Sequence, residues 1–415
     1  MSSRVRTTAV SVGLLVMIAA TGGLAYRFGE SAGQREARST TSTSLQTPTS
    51  VEQRRPVLGE ATGISLAFMA RELEPDQYAG VLTVDIDGGT TRETAIVGGP
   101  LRVRDRPARR DQSVVVVHNK SASLSDQDAD SEAWAYPPTF DSPPRVLGSA
   151  SSVLASVAPD RVWLLSADRT PTSSSSGLKG GTVREVDLGG QVVVAPQTYP
   201  PERRPVAAVE GGLLRQVQTP GVYGDTFDLW DPGRDAVVRR VANEPAFFVD
   251  ARGKSASWLA DSGLHLTDVT TGLDRIVQRP SNRLAFTSRG RFSPDGRYLA
   301  AQMVDASSVG GPQPALTRFA TDEIFPETWG LVDIATGRTT VIEGSRNANG
   351  GAPAGFTWSA DSKWFFFAGY VTDPGDFGPG FGADSIIMAY RAGSSKARAV
   401  HSVLPQESGV MIPAA

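Results

Sequence analysis

The chain has 415 residues, with 41 lysine and arginine against 44 aspartate and glutamate and a formal net charge of -3. That near-neutral, mixed balance excludes the one-signed field of a nucleic-acid binder. With no cysteine, disulfides, a thiol nucleophile, thiolate metal sites and a lipid anchor through cysteine are excluded as well.

The first segment is uncharged and apolar from Thr8 to Ala25, flanked by Arg4, Arg6 and Arg27, and is near the minimum length that crosses hydrocarbon. It predicts a short cytoplasmic tail over 1–7 and a transmembrane signal-anchor over 8–26. The other reading is a cleaved secretory leader, with Gly23-Leu24-Ala25 before the cut; Tyr26-Arg27-Phe28 as an interface anchor favours the first. The expected location is the cytoplasmic membrane, single-pass, with the large domain extracytoplasmic, or a secreted form if the leader is cleaved. Residues 27–57, including Ser39-Thr40-Thr41-Ser42-Thr43-Ser44, have no hydrophobic period and read as a Ser/Thr-rich flexible linker.

From residue 58 to 415 one pattern returns: a short alternating strand, an Asp-Gly turn and a second strand. Val84-Asp85-Ile86-Asp87-Gly88-Gly89, Val186-Asp187-Leu188-Gly189-Gly190 and Trp230-Asp231-Pro232-Gly233 carry it. So do Asp268-Val269-Thr270-Thr271-Gly272 and Asp333-Ile334-Ala335-Thr336-Gly337, with a degenerate copy at Tyr390-Arg391-Ala392-Gly393. The Asp accepts hydrogen bonds from the turn amides and the Gly takes a positive φ, so each copy predicts a hairpin. A second pattern precedes most copies, cleanest at Phe292-Ser293-Pro294-Asp295-Gly296-Arg297-Tyr298-Leu299 and again at Trp358-Ser359-Ala360-Asp361-Ser362-Lys363-Trp364.

Two hairpins make a four-stranded unit that buries both faces only among neighbours, as in a propeller. The gap between Asp85 and Asp187 is about twice one blade period, and Val114-Val115-Val116-Val117 with Trp134-Ala135-Tyr136 fill it. The expectation is an all-β, seven-bladed propeller of four-stranded antiparallel blades, preceded by one transmembrane helix or signal-anchor. Ile64 to Met69 belongs either to the first blade or to the last, and the two chain ends are expected to pair.

The Ser-Pro-Asp-Gly turn followed by an Asp-x-x-Thr-Gly hairpin resembles the WD40-like (PD40) repeats of the TolB-type β-propeller family. The resemblance is clearest over 246–343, weaker over 354–402 and weakest before residue 150. With the leader and an arginine-dominated set of basic residues, the chain resembles an actinobacterial membrane-anchored or exported member. The resemblance implies an extracytoplasmic propeller that docks envelope proteins.

Enzyme signatures are sparse. His118, His265 and His401 read as scattered strand-end or surface histidines, so no catalytic residue is assigned. Asp126, Asp128, Asp130 and Glu132, or Asp85 and Asp87, have oxygen ligands at calcium-like spacing but miss the twelve-residue loop; they read as solvated loop and turn residues. No metal or cofactor is expected. Trp163, Trp258, Trp358 and Trp364 read as packing between blades.

Two Gly/Pro-rich insertions, Gly310 to Glu327 and Gly369 to Gly382, carry exposed-looking aromatics, and a binding site is expected at Phe319, Phe325, Asp376, Phe377 and Phe381. Tyr223 and Trp230 fall in the same aromatic class. The leading functional reading is a non-enzymatic, envelope-tethered propeller binding a protein or cell-wall component, held to the membrane through residues 8–26 and contacting no nucleic acid. The alternatives are a propeller enzyme acting on a polysaccharide or small molecule through carboxylates at the central tunnel, or a structural accessory subunit of a membrane complex.

Overall fold

A computed structural model describes residues 58–412 apart from 75–76, 104–106, 111, 121–130, 168–179, 220, 307–326, 346–354, 371–384 and 404–407. Every regular element in these residues is a strand, and the whole is a β-propeller. The first sheet orders β28 (Ser408–Ile412), β1 (Ser65–Glu74), β2 (Gln77–Asp85) and β3 (Thr91–Ala95), with β4 (Leu101–Arg102) also on β2. The second runs β5 (Ala108–Arg110), β6 (Ser113–Asn119), β7 (Ser131–Tyr136), β8 (Arg145–Ser149). The third runs β9 (Ser152–Ala155), β10 (Arg161–Ala167), β11 (Gly181–Asp187), β12 (Val192–Tyr199).

The fourth is seven-stranded: β13 (Arg203–Val209), β14 (Gly212–Gln218), β15 (Asp225–Asp231), β16 (Ala236–Arg252), β17 (Ser255–Ala260), β18 (Gly263–Asp268), β19 (Asp274–Ile276). Then come β20 (Leu284–Phe292), β21 (Tyr298–Asp305), β22 (Glu327–Asp333), β23 (Thr339–Val341), and finally β24 (Phe356–Trp358), β25 (Trp364–Tyr370), β26 (Ser385–Arg391), β27 (Arg398–Val403).

Two expectations need correction here. Seven separate four-stranded blades are not what hydrogen bonding makes: among the described residues there are five sheets of four or five strands and one of seven. The cause is β16, which spans both Val237-Val238 after the Asp231-Pro232-Gly233 turn and Phe247-Phe248 ahead of the next hairpin. No glycine turn separates them, so the chain runs on, pairing with β15 from Ala236 to Ala246 and with β17 from Ala246 to Arg252. The second correction is the transmembrane helix, with the membrane contact and single-pass location built on it. Among the described residues no helix is long and apolar enough to cross a membrane, so no membrane-spanning segment is supported. Residues 8–26, to which the segment was assigned, lie outside the described residues, as does most of the linker.

The turn chemistry follows the sequence. Asp187, Asp231 and Asp268 each accept the amide two residues ahead, at 2.8, 2.9 and 2.9 Å. Asp333 accepts the Thr336 amide at 2.8 Å, and Gly337 beyond it has φ 70°. Ser293 and Ser359 play one role in two places: each Oγ donates to an Asp two residues on and accepts the amide of the aromatic that restarts the strand, at 2.9 Å both times.

Burial on both faces explains the valine run of β6. Val114 and Val116 pack toward Met69 and Val81 of the first sheet, while Val115 and Val117 pack toward Val162 and Leu164 of the third. Successive strand residues point to opposite faces, so an uninterrupted apolar run marks a sheet clamped between two others. The same holds round the ring, through Trp163 and Leu213, Leu264 and Leu299, and Trp329 and Phe365. It closes where Leu66 and Phe68 of the first sheet meet Trp364 and Phe366 of the last. The chain ends pair as anticipated: Ala67 lies opposite Ile412 and Phe68 opposite Met411.

Candidate functional site

The strands β5, β9, β13, β16, β20, β24 and β28 neighbour one another in turn from β5 to β28 and form an inner ring; all but β16, which lies between β15 and β17, are edge strands of their sheets. The turns that follow several of them are hydrogen-bonded to the next turn round one end. Arg110 Nη2 donates to the carbonyls of Ser156 and Ala158, and its Nε to the Arg161 carbonyl at 3.1 Å. The Glu210 amide donates to the Gly253 carbonyl at 2.8 Å. Arg252 Nε donates to the Pro294 carbonyl at 2.7 Å, and the Asp295 amide to Ser362 Oγ at 2.9 Å.

Four charged residues belong to this end of the inner strands. Arg110 closes β5 and Arg252 closes β16, on sheets separated by the third. Burial pushes the Arg110 guanidinium down to about 10, and the charge of Arg252 pushes it the same way, against Asp160 and Glu185. Burial also lowers Arg252, against the pull of Asp250 and Asp295. On β5 the preceding Arg109 is lowered by burial, and its Nε is buried with no hydrogen-bond partner.

Asp250 moves the opposite way. Burial raises it above the usual carboxylate range, although Arg291, the Phe292 amide at 2.7 Å and Arg252 all favour its ionised form. Its side chain is half-buried. Burial thus displaces these cations downward, with Arg252 also repelling Arg110, and displaces the carboxyl upward.

Phe319, Phe325, Asp376, Phe377 and Phe381 all lie outside the described residues. Trp163, Trp258, Trp358 and Trp364 are buried between sheets. Trp230, grouped with loop aromatics, is buried beneath Arg215 at 4.7 Å, whereas Tyr223 is exposed against the edge of Phe247.

Asp85 accepts the Asp87 and Gly88 amides of its own turn, and Asp87 accepts the amides of Thr62 and Gly63 at 2.8 and 2.7 Å. Both carboxylates are therefore engaged in holding the chain. Asp126, Asp128 and Asp130 lie outside the described residues, and Glu132 bonds Lys120 and Trp134. Among the described residues no group of histidine, aspartate and glutamate could hold a metal.

His118 accepts the Arg102 amide on Nδ1 at 3.2 Å and is held low by burial, then by Lys120. His401 is lowered by burial. His265, read as a scattered histidine, is instead buried. The inner-strand arginines and Asp250 were missed because their grouping depends on which strand of each sheet is innermost. An Arg or Asp at the end of the first strand of each repeat was the one signal that could have found them.

No protein-family model matches the chain, and no curated protein matches its sequence. Solved structures do resemble it. The acylaminoacyl peptidase of Pyrococcus horikoshii aligns with a TM-score of 0.52 at 9% identity, over 82% of this chain and 51% of that one. TolB of Acinetobacter baumannii aligns with a TM-score of 0.42 at 11% identity, over 84% and 83%. An oligogalacturonate lyase in complex with manganese gives 0.45 at 12% identity, over 83% and 86%. At these identities the likeness is one of fold, a β-propeller, and it does not carry the TolB, PD40 or actinobacterial assignment.

Proposed function

We propose that this propeller acts on an anionic small molecule or acidic saccharide bound where its inner strands end. Arg110 and Arg252 hold the negative charge, and Asp250 gives up a proton to the ligand. What supports the reading is placement: Arg110 closes β5, and Asp250 and Arg252 stand at the end of β16, where Arg252 acts electrostatically on both Arg110 and Asp250.

The reading is tested by titration calorimetry with a panel of sugar acids and small dicarboxylates. One panel member is expected to bind, with affinity falling as salt rises. Arg252→Gln is expected to weaken that binding about tenfold or more, the scale of one lost charge-assisted hydrogen bond. Binding unchanged in Arg252→Gln, or no heat from any panel member, overturns the reading.

A further inference from the structure

A second constellation lies away from the inner strands, on the outer part of the seven-stranded sheet. Ser262 is exposed at the tip of the two-residue turn between β17 and β18. Its Oγ is 2.7 Å from His265 Nε2, and His265 Nδ1 is 2.7 Å from Asp274 Oδ2. The sequence order Ser262, His265, Asp274 is produced by a hairpin plus one further strand. Thr267 pairs with Asp274 across β18 and β19, which places the carboxylate two residues along the same face from His265.

The parts are fixed in place. The imidazole stacks on Trp258 at 3.7 Å with 12° between the planes, and its side chain is 5% exposed. Trp258 Nε1 donates to Thr267 Oγ1 at 2.9 Å, and Thr267 Oγ1 donates to Asp274 Oδ1 at 2.6 Å. A carboxylate only accepts, so Nδ1 carries the proton toward Asp274, and Nε2 is left free to accept from Ser262. Glu244 Oε1 competes for the same single hydroxyl proton, at 2.7 Å from Ser262 Oγ. The two charged groups facing the ring are thus Asp274 and Glu244.

We propose that Ser262 is an activated nucleophile toward small esters, with His265 as its base and Asp274 as the group that orients the base. Ser262 Oγ bonds to the ester carbonyl carbon as its proton passes to His265 Nε2. The carbon–alkoxy bond then breaks, and the departing alkoxide leaves as an alcohol with that proton. Water, giving its proton to His265, attacks the acyl-serine; the acid departs and the proton returns to Ser262. Triads are recognised by such geometry rather than by sequence position. The exposed turn suits an acyl group presented on an open surface, a different substrate class from the anion of the inner-strand site.

The cysteine-free chain gives a direct test. In the full chain, a fluorophosphonate probe is expected to form an adduct on Ser262 that is lost in Ser262→Ala. Ser262→Cys creates a single thiol, and its alkylation by iodoacetamide at pH 6 is expected to exceed that of Ser395→Cys by roughly tenfold or more, as for a thiolate favoured by a neighbouring imidazole. Asp274→Asn is expected to remove most of that excess. No adduct on Ser262, or two thiols reacting within about twofold of each other, overturns the proposal.

Discussion

Arg215 and Asp228 face each other across β14 and β15 as a bidentate pair, Nε to Oδ1 at 2.9 Å and Nη2 to Oδ2 at 3.1 Å. Both residues are buried, 4% and 5% exposed, and Trp230 closes one side of the guanidinium. Taking one partner away leaves an uncompensated charge in a site that water does not reach. Arg215→Met is therefore expected to cost about 3–5 kcal/mol in denaturant unfolding, with most of the loss recovered in the double variant Arg215→Met, Asp228→Leu. A single variant as stable as the native chain would mean that the charge escapes to water through a relaxation of β14.

Asp250 makes the reverse prediction. Its folded form favours the proton, so the ionised carboxyl weakens folding once pH rises above the ordinary aspartate value of about 3.9. The deficit grows until pH passes the raised folded value and is then complete. Asp250→Asn keeps an acceptor for the Phe292 amide and removes the ionisation. Its melting temperature is expected to exceed the native one at pH 7, with the difference vanishing below about pH 3.9. An Asn variant less stable at pH 7 would show that the carboxylate is held by its arginines, contrary to its displacement.

Asp268 has the opposite sign. The Thr270 hydroxyl at 2.6 Å and the amides of Thr270 and Thr271 hold it down at about 2, with Lys254 a smaller contributor. Its contribution is complete above the ordinary value of about 3.9 and is lost as pH falls through the folded value. Asp268→Ala is expected to lower the melting temperature at pH 7, and the gap to the native chain should close between about pH 4 and pH 2. A gap independent of pH would assign the loss to turn geometry rather than to charge.

These turns also mark what could be read from the sequence. Asp187, Asp268 and Asp333 cap their turns as their spacing predicts, because an Asx turn is decided within a few residues. Val114 to Val117 announce a strand buried on both sides for the same local reason. The continuity of β16 was not legible, since nothing local separates one long strand from two that abut. The sites were less legible still. Arg110 and Arg252 come together only through the ring, and His265 meets Asp274 only through the β18–β19 register. Trp230 was grouped with loop aromatics although its own repeat, Trp230-Asp231-Pro232-Gly233, marks it as the end of a strand.

Ring closure gives the last prediction. Met411 and Ile412 are 5% and 0% exposed, and they pair with Phe68 and Ala67 at the opposite end of the described chain. Met411 packs into the apolar layer shared with the last sheet and Ile412 into the layer shared with the second, so this one strand seals both gaps. Gly355 leaves room for it: a Cβ there would sit 2.8 Å from the Met411 Cβ. Ile412→Ala is expected to cost about 2–5 kcal/mol, the range for emptying a buried isoleucine site. Deleting residues 408–415 does more, because it frees the edge of β1, and an unpaired apolar edge seeks another strand. The truncated chain is expected to self-associate in size-exclusion chromatography with light scattering, and a peptide spanning 408–415 should suppress the association. A truncated chain that stays monomeric with its melting temperature intact would show that the ring is held by the Leu66–Trp364 layer alone.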